Sequence, residues 1–368
     1  MGEYANYDLV VLDLEDTLID RSLALADAAC RGVDAYLVEL LGVSKEGGPL
    51  FTRQEAMAFA TQHGFTKGYD LMNALLLCAL HSMPQEASED EFGAYDGREM
   101  LHLVKQKQVF KTSLGELKRS LKMQEFKRLL KSRQPGGKAL RRITGLRNQF
   151  LVLAEGHILM DNFVRRLFLE AYLGDDLFFR EYNQHVQFVQ GEPSLNLEKT
   201  YFTAEELAHL RRKFFLAGVT SRTHTEIQYC LEHLEIAKFF STTVAKGSTG
   251  PGVVDEEAAR LTMDLGIEEA MGDADYSAKV MQAIERVRGL EESQPVARVA
   301  FAGNCTPEER GLAGLKDRYR LTLIGVVYGG DKKAQSAQKA AGADMVATDP
   351  ESLFKVLNEK PKVRFDMF

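Results

Sequence analysis

The side chains best suited to chemistry stand at the end of the first apolar segment of the chain. Residues 7–16 read YDLVVLDLED, a short β-branched run that turns acidic at Asp13, Glu15 and Asp16. Such a run is typical of a strand buried on both faces of a parallel sheet. A strand end would bring these carboxylates together at one place. Mg²⁺, which takes oxygen ligands and often shares them with phosphate, is the simplest occupant, and a carboxylate beside it can attack phosphorus.

The segments that follow predict how these carboxylates are positioned. From Arg21 to about Tyr201 the pattern is that of amphipathic helices, with turn signals between them. Strand-like runs then resume: FFLAGVTS (214–221), FFSTTVA (239–245), VARVAFAG (296–303), LTLIGVVYGG (321–330) and DMVAT, which begins at Asp344. Strands alternating with helices predict a Rossmann-like parallel α/β sheet, whose ligands bind at the carboxyl ends of the strands.

The first acidic segment reads Asp13-Leu14-Glu15-Asp16-Thr17-Leu18. It resembles the first motif of the haloacid dehalogenase-like superfamily, a buried strand ending Asp-x-Asp-x-Thr-Leu. The resemblance implies that Asp13 is the nucleophile, Glu15 the general acid/base and Thr17 a substrate-binding residue; the alternative for Asp13 is an ordinary capping carboxylate. Glutamate departs from the family's aspartate at position 15, and a catalytic group misplaced by roughly 1 Å can cost about 100-fold in rate.

Two further segments match the motifs that hold the phosphoryl group in this superfamily. LAGVTSRTHTE ends its strand at Thr220 and Ser221, and the resemblance makes Thr220 catalytic and Ser221 and Arg222 substrate-binding. A following helix N-terminus would favour an anion, although Thr220 could also be a plain N-cap. The family's lysine is expected near residues 251–252, where none occurs. Lys246 is the nearest candidate, and its alternative is a solvated lysine.

The fourth motif is an acidic pair that follows a strand and completes a metal shell. After VARVAFAG the chain reads Gly303-Asn304-Cys305-Thr306-Pro307-Glu308, with asparagine in place of the first aspartate. Asn304 and Glu308 are therefore expected to bind Mg²⁺ with Asp13 and Glu15, and the segment at Asp273 is the alternative. Asparagine can ligate through its carbonyl oxygen, but the lost charge weakens metal affinity.

The resemblance also predicts the domain organisation. Residues 1–20 and 202–368 are expected to form the α/β core, and residues 21–201 a large inserted all-helical cap. This arrangement is that of the helical-cap branch of the superfamily (C1, subfamily I), in which the cap is a lid that excludes water.

The charge of the chain is unevenly distributed. The 368 residues carry a net charge of −7, yet residues 105–147 hold fourteen Lys or Arg against two acids, a segment at +12 within a remainder at −19. The overall charge makes nucleic acid an unlikely partner, whereas the basic segment is either a solvated helical hairpin or a surface that contacts a polyanion. No stretch is long and apolar enough for a membrane span, and a cytoplasmic protein is expected.

The function that these motifs predict is Mg²⁺-dependent hydrolysis of a small phosphorylated metabolite through an aspartyl-phosphate intermediate. Three of the four motifs are altered, namely at Glu15, at the lysine and at Asn304. The alternative is therefore a catalytically weak or inactive member with a binding or regulatory role.

Overall fold

The chain folds into two compact units. The computed structural model describes residues 7–84, 89–92, 95–131, 136–246, 276–290, 296–305, 312, 314–330 and 332–358. One unit comprises Met1–Asp20 with Lys199–Phe368, and the other comprises Arg21–Glu198. The chain returns from the helical unit to the first unit at Lys199, whereas the sequence placed this boundary at residue 202. The difference arises because β3 (Lys199–Thr200) pairs antiparallel with β2 (Ile19–Asp20).

The first unit is built on a six-stranded parallel sheet. Its strands are β1 (Leu9–Asp13), β4 (Phe215–Val219), β5 (Thr242–Val244), β6 (Val299–Gly303), β7 (Leu321–Val326) and β8 (Met345–Ala347). They lie in the order β5-β4-β1-β6-β7-β8. All five residues of β1 are buried, as its apolar sequence predicts for a central strand. The predicted Rossmann-like α/β core is confirmed.

Helices cover this sheet. They are α10 (Ala204–Lys213), α11 (His224–His233), α12 (Tyr276–Leu290), α13 (Lys316–Tyr319), α14 (Lys332–Ala340) and α15 (Pro350–Asn358). Val280, Ile284 and Val287 of α12 are completely buried in one apolar cluster with Val11 and Phe301 of the strands. The spacing of 280, 284 and 287 is that of one helical face, so burial of this face attaches α12 to the sheet.

The second unit is helical, as predicted. Its helices are α1 (Ser22–Ala35), α2 (Arg53–His63), α3 (Gly68–Ser82), α4 (Glu89–Phe92), α5 (Gly97–Gln106), α6 (Leu114–Ser120), α7 (Met123–Lys131), α8 (Gly137–Leu140) and α9 (Phe163–Tyr182). α1 packs against α3 and α9. Among the described residues, no helix has both the length and the apolar character that crossing a bilayer requires.

The basic segment 105–147 belongs to this helical unit. Its apolar residues Leu114, Leu117, Phe126 and Leu130 are buried, while most of its described Lys and Arg side chains are exposed or half-buried. Some of these cations have acidic neighbours; for example, Lys107 Nζ lies 2.7 Å from Glu91 Oε1. Such exposed pairs contribute little to stability. Contact with a polyanion stays a prediction.

Candidate active site

The candidate functional residues of the first unit lie near one another because three neighbouring strands end at one edge of the sheet. Asp13 is the last residue of β1 and pairs in register with Val219, the last residue of β4. On the other side, Leu12 pairs with Ala302 of β6. The residues that follow, Thr220 after β4 and Asn304 after β6, therefore flank the end of β1. The sequence motifs fall at this edge because parallel strands share a direction.

Asp13 is enclosed at this edge, with only 7% of its surface exposed. A Cβ atom added to Gly303 would lie 2.6 Å from the Cβ atom of Asp13, so only glycine lets β6 approach β1 this closely. The glycine before Asn304 therefore has a steric role beside the candidate nucleophile.

A tight turn directs Glu15 toward the end of β4. The Leu14 amide donates to the Val219 carbonyl at 3.0 Å, which extends the β1–β4 pairing by one residue, and the Asp16 amide then donates to the Ile19 carbonyl at 2.9 Å. Asp16 adopts a left-handed conformation (φ 58°), which aspartate tolerates better than most residues. Glu15 is consequently buried, with 8% of its surface exposed.

The carboxylate of Glu15 is held by three groups of the loop after β4. Its Oε1 atom accepts a short hydrogen bond from the Thr220 hydroxyl and lies 3.1 Å from Arg222 Nε. Its Oε2 atom accepts from the Ser221 amide at 3.2 Å. We call Thr220, Ser221 and Arg222 the anion cradle. Glu15 of the first motif is thus in contact with the three predicted residues of the second motif.

The local sequence fixes the shape of this cradle. The Thr220 hydroxyl accepts from the Arg222 amide at 3.1 Å, and Thr223 caps α11 by accepting from the Glu226 amide. The side chain of Arg222 is 3% exposed, and its Nε atom lies 3.5 Å from Glu226 Oε1 in addition to its contact with Glu15. A buried arginine with two carboxylates nearby satisfies the requirement that buried charge be paired.

A second buried cation reaches the cradle from α12. Lys279 is 4% exposed, and its Nζ atom donates to the carbonyl of Thr220 at 3.1 Å. The sequence motifs did not identify this lysine. A signal exists, because Lys279 lies within the buried stripe of α12 formed by Tyr276, Val280 and Ala283. A lone lysine on an apolar helix face has to be paired or functional.

The predicted lysine, Lys246, lies just after β5. Its backbone amide donates to the carbonyl of Arg222 at 2.8 Å, and its side chain is exposed. Lys246 therefore supports the backbone of the cradle, whereas Lys279 contacts it with a buried ammonium group.

The end of β6 is tied to α14 by an amide. The Asn304 Oδ1 atom accepts a short hydrogen bond from Gln338 Nε2, and Gln338 Oε1 accepts from the Cys305 amide at 2.6 Å. Gln338, which the sequence did not single out, is 3% exposed. Asn304 is exposed. The other predicted ligands of the fourth motif, Glu308 and the alternative Asp273, lie outside the described residues.

Thr17, the remaining predicted substrate-binding residue, is buried with 3% of its surface exposed. Its carbonyl accepts from the hydroxyl of Tyr328 at 3.0 Å. Burial, reinforced by Tyr201 and Asp349, raises the pKa of Tyr328, so this hydroxyl remains a neutral donor at physiological pH. The contact fixes the turn after β1.

The described residues do not by themselves fit a Mg²⁺ ion. They contain no group of three or more His, Cys, Asp or Glu side chains able to hold a metal. Asp13 and Asn304 offer oxygen donors of the right kind, but the carboxylate of Glu15 faces the cradle. A complete shell would need a donor such as Glu308.

Comparisons with known proteins include one solved structure with a similar fold. Neither the scan against family models nor the search of curated proteins gives a match. Among solved structures, a structural genomics target shares 15% identity over 95% of this chain and 98% of its own, with a TM-score of 0.59. A phosphatase from Thermococcus thioreducens (14% identity, 90% and 98% coverage) and a haloacid dehalogenase-like hydrolase from Streptococcus pneumoniae (10%, 95% and 98%) give TM-scores of 0.42 and 0.38.

These similarities concern the fold alone, because all identities are low. The core topology is that of a parallel α/β sheet, and the motif residues that resemble those of the haloacid dehalogenase-like superfamily lie at the ends of β1 and β4. The fold that the motifs indicated is thus confirmed, and its activity is a separate question.

Proposed function

We propose that the chain hydrolyses phosphate esters of small metabolites, with Asp13 as the nucleophile. The observation that carries the proposal is the anion cradle: a hydroxyl, a backbone amide and a buried guanidinium surround one carboxylate beside the end of β1. Hydroxyl, amide and guanidinium donors are also those that hold phosphoryl oxygens. Asp13 lies at the end of the neighbouring strand, where it could attack phosphorus.

In the proposed reaction the Asp13 carboxylate attacks phosphorus and the P–O bond to the ester breaks. Glu15, when protonated, gives its proton to the departing oxygen. Thr220, Ser221 and Arg222 bind the phosphoryl oxygens, and Lys279 adds positive charge behind them. Water then attacks the aspartyl-phosphate and loses a proton to Glu15, which restores both Asp13 and Glu15 and releases inorganic phosphate.

The predicted Mg²⁺ dependence is part of this proposal, but no step above is assigned to the metal. Replacement of Asn304 by aspartate would test it, because a carboxylate at this position could still accept from Gln338 while adding one negative charge. If Mg²⁺ supports turnover, Asn304→Asp should lower the Mg²⁺ concentration that gives half-maximal rate by about tenfold.

Hydrolysis of a generic aryl phosphate tests the function. Wild type, Asp13→Asn and Asp16→Asn are compared with and without Mg²⁺. Asp16 is a matched control, because it is an exposed acid three residues away whose left-handed backbone asparagine also tolerates. Turnover in wild type and Asp16→Asn that falls by about 10³-fold or more in Asp13→Asn supports the proposal. Equal rates in the three proteins would refute it and favour a binding or regulatory role.

A further inference from the structure

We propose that Glu15 is an internal ligand of the anion cradle, which an incoming phosphoryl group must displace in order to bind. This inference rests on the proposed function for its choice of ligand. The cradle donates to the carboxylate of Glu15 through the Thr220 hydroxyl and the Ser221 amide, and Arg222 lies 3.1 Å from it. These donors cannot serve a phosphate and Glu15 at full strength simultaneously.

The position of Glu15 follows from its length and its setting. Its backbone stands at the turn after β1, and the side chain crosses to the loop after β4 to reach both Thr220 and Arg222. Thr220 is completely buried, and Glu15 and Arg222 are 8% and 5% exposed. The charges of this pair are largely removed from water, so their attraction is weakly screened.

The carboxylate of Glu15 acts as an intramolecular competitor, because it occupies the donors that an external anion would use. The observed affinity is the intrinsic affinity reduced by the fraction of molecules in which Glu15 has left the cradle. Release of Glu15 would at the same time free its carboxylate for the leaving group. Binding of the phosphoryl group and delivery of the acid would then be two results of one side-chain movement.

Two substitutions of Glu15 distinguish the effect of its negative charge from the effect of its side chain filling the anion cradle. Glu15→Gln retains an acceptor for Thr220 and Ser221 but removes the ion pair with Arg222. Glu15→Ala empties the cradle. The matched control is Glu226→Gln, because Glu226 also lies near Arg222, at 3.5 Å, but accepts from neither Thr220 nor Ser221 in the described contacts.

The experiment is calorimetric titration of the purified chain with inorganic phosphate at constant ionic strength. We expect phosphate to bind about tenfold more tightly to Glu15→Gln and tighter still to Glu15→Ala, with less than a threefold change in Glu226→Gln. Adding Thr220→Val to Glu15→Ala should abolish the gain, which locates the phosphate in the cradle. Thermal unfolding with phosphate, monitored by circular dichroism, checks that each variant is folded.

Three results would overturn the inference. These are unchanged or weaker phosphate binding by both folded Glu15 variants, an equal gain in Glu226→Gln, and a gain that survives Thr220→Val. The readout needs no turnover, so it is independent of the aryl phosphate assay. A chain inactive in that assay could still bind phosphate more tightly without Glu15, and an active chain could show no such gain.

Discussion

The ends of β4 and β6 flank the same central strand but differ in their electrostatics. After β4, buried Arg222 and Lys279 and the donors of the cradle converge on the Thr220 loop. After β6, the Asn304 side-chain oxygen and the Cys305 backbone amide are hydrogen-bonded to the uncharged side chain of Gln338. The loop after β4 therefore carries the cations and donors that we propose to bind an anion, whereas the described residues after β6 form hydrogen bonds between uncharged amides.

Because of this difference, the altered motifs have different consequences on the two sides of the edge. The changes at Glu15 and at the lysine leave the anion-binding side fully assembled, because Glu15 reaches the cradle and Lys279 supplies a cation. The change at Asn304 removes a charge from the side where a metal is expected. The proposed anion site and the predicted Mg²⁺ site can therefore be tested separately.

Of the substitutions that test the difference between the two sides, Arg222→Met should cause the largest loss of stability. The substitution leaves Glu15, which is 8% exposed, without its nearest cation. We expect the free energy of unfolding to fall by about 3 kcal/mol, as measured by urea denaturation, because an uncompensated buried charge is costly.

The double variant Arg222→Met/Glu15→Gln provides the control for this prediction. It removes both charges and should recover at least about 1 kcal/mol relative to Arg222→Met alone. A loss below about 0.5 kcal/mol in the single variant would show that the side after β4 does not depend on this ion pair.

A smaller effect is expected after β6, from Gln338→Ala. The Cys305 amide would lose its acceptor, and the Asn304 amide its anchor. An unsatisfied buried donor costs roughly 1–3 kcal/mol, so we expect the free energy of unfolding to fall by about 2 kcal/mol.

Two neighbouring variants check the cause of this loss. Gln338→Glu keeps an acceptor for the Cys305 amide but buries a carboxyl group, so its loss should be smaller than that of alanine only at acid pH, where that group is neutral. Gln335→Ala, on the same helix, removes only a weak bond of 3.3 Å to the Gly330 carbonyl and should cost at most about 0.5 kcal/mol. Equal losses in Gln338→Ala and Gln335→Ala would assign the effect to the helix rather than to the amide pair.

Sequence patterns predicted the strands of this edge well because strand burial depends on short local runs. The apolar runs at β1, β4, β6 and β7 each contain the observed strand, and the polar residues at their ends fall where the motifs placed them. A short continuous apolar run is a local property of the sequence, so recognising it needs no knowledge of the fold.

Contacts across large sequence separations could not be predicted in this way. Lys279 meets Thr220 across 59 residues, and Gln338 meets Asn304 across 34. The sequence directed attention to Lys246 because it lies close to the expected position along the chain. The buried stripe of α12 contained a better physical indication, since a lysine among apolar positions has to find a partner.

The smallest predicted change in stability concerns Asp34, a residue of the helical unit. Its carboxyl group can be compared with that of Glu15. The Leu50 amide donates to its Oδ1 atom at 3.1 Å. Burial raises the pKa of Asp34 from 3.8 to about 6, with Lys118 and Lys45 too weak to reverse the shift. Unlike Glu15, it has no cation at ion-pair distance among the described contacts.

The sign of the pH effect follows from this raised pKa. Between about pH 4 and 6 the folded chain binds the proton that the unfolded chain releases, so this residue's contribution to stability falls as pH rises through that window. Asp34→Asn removes the half-buried charge and keeps an acceptor for the Leu50 amide. At pH 7.5 the variant should be about 1 kcal/mol more stable than wild type in urea denaturation, with the difference vanishing near pH 4.

Glu55 of the same unit gives the opposite sign and serves as the control. Hydrogen bonds from the amide and hydroxyl of Thr52 lower the pKa of Glu55. Its contribution to stability is therefore present at neutral pH and lost as pH falls through the lowered pKa. Glu55→Gln should destabilise the chain at pH 7.5 and have little effect in strong acid. If Asp34→Asn also destabilised the chain at pH 7.5, the buried acid would be stabilising, and the contrast with the cation-paired Glu15 would not hold.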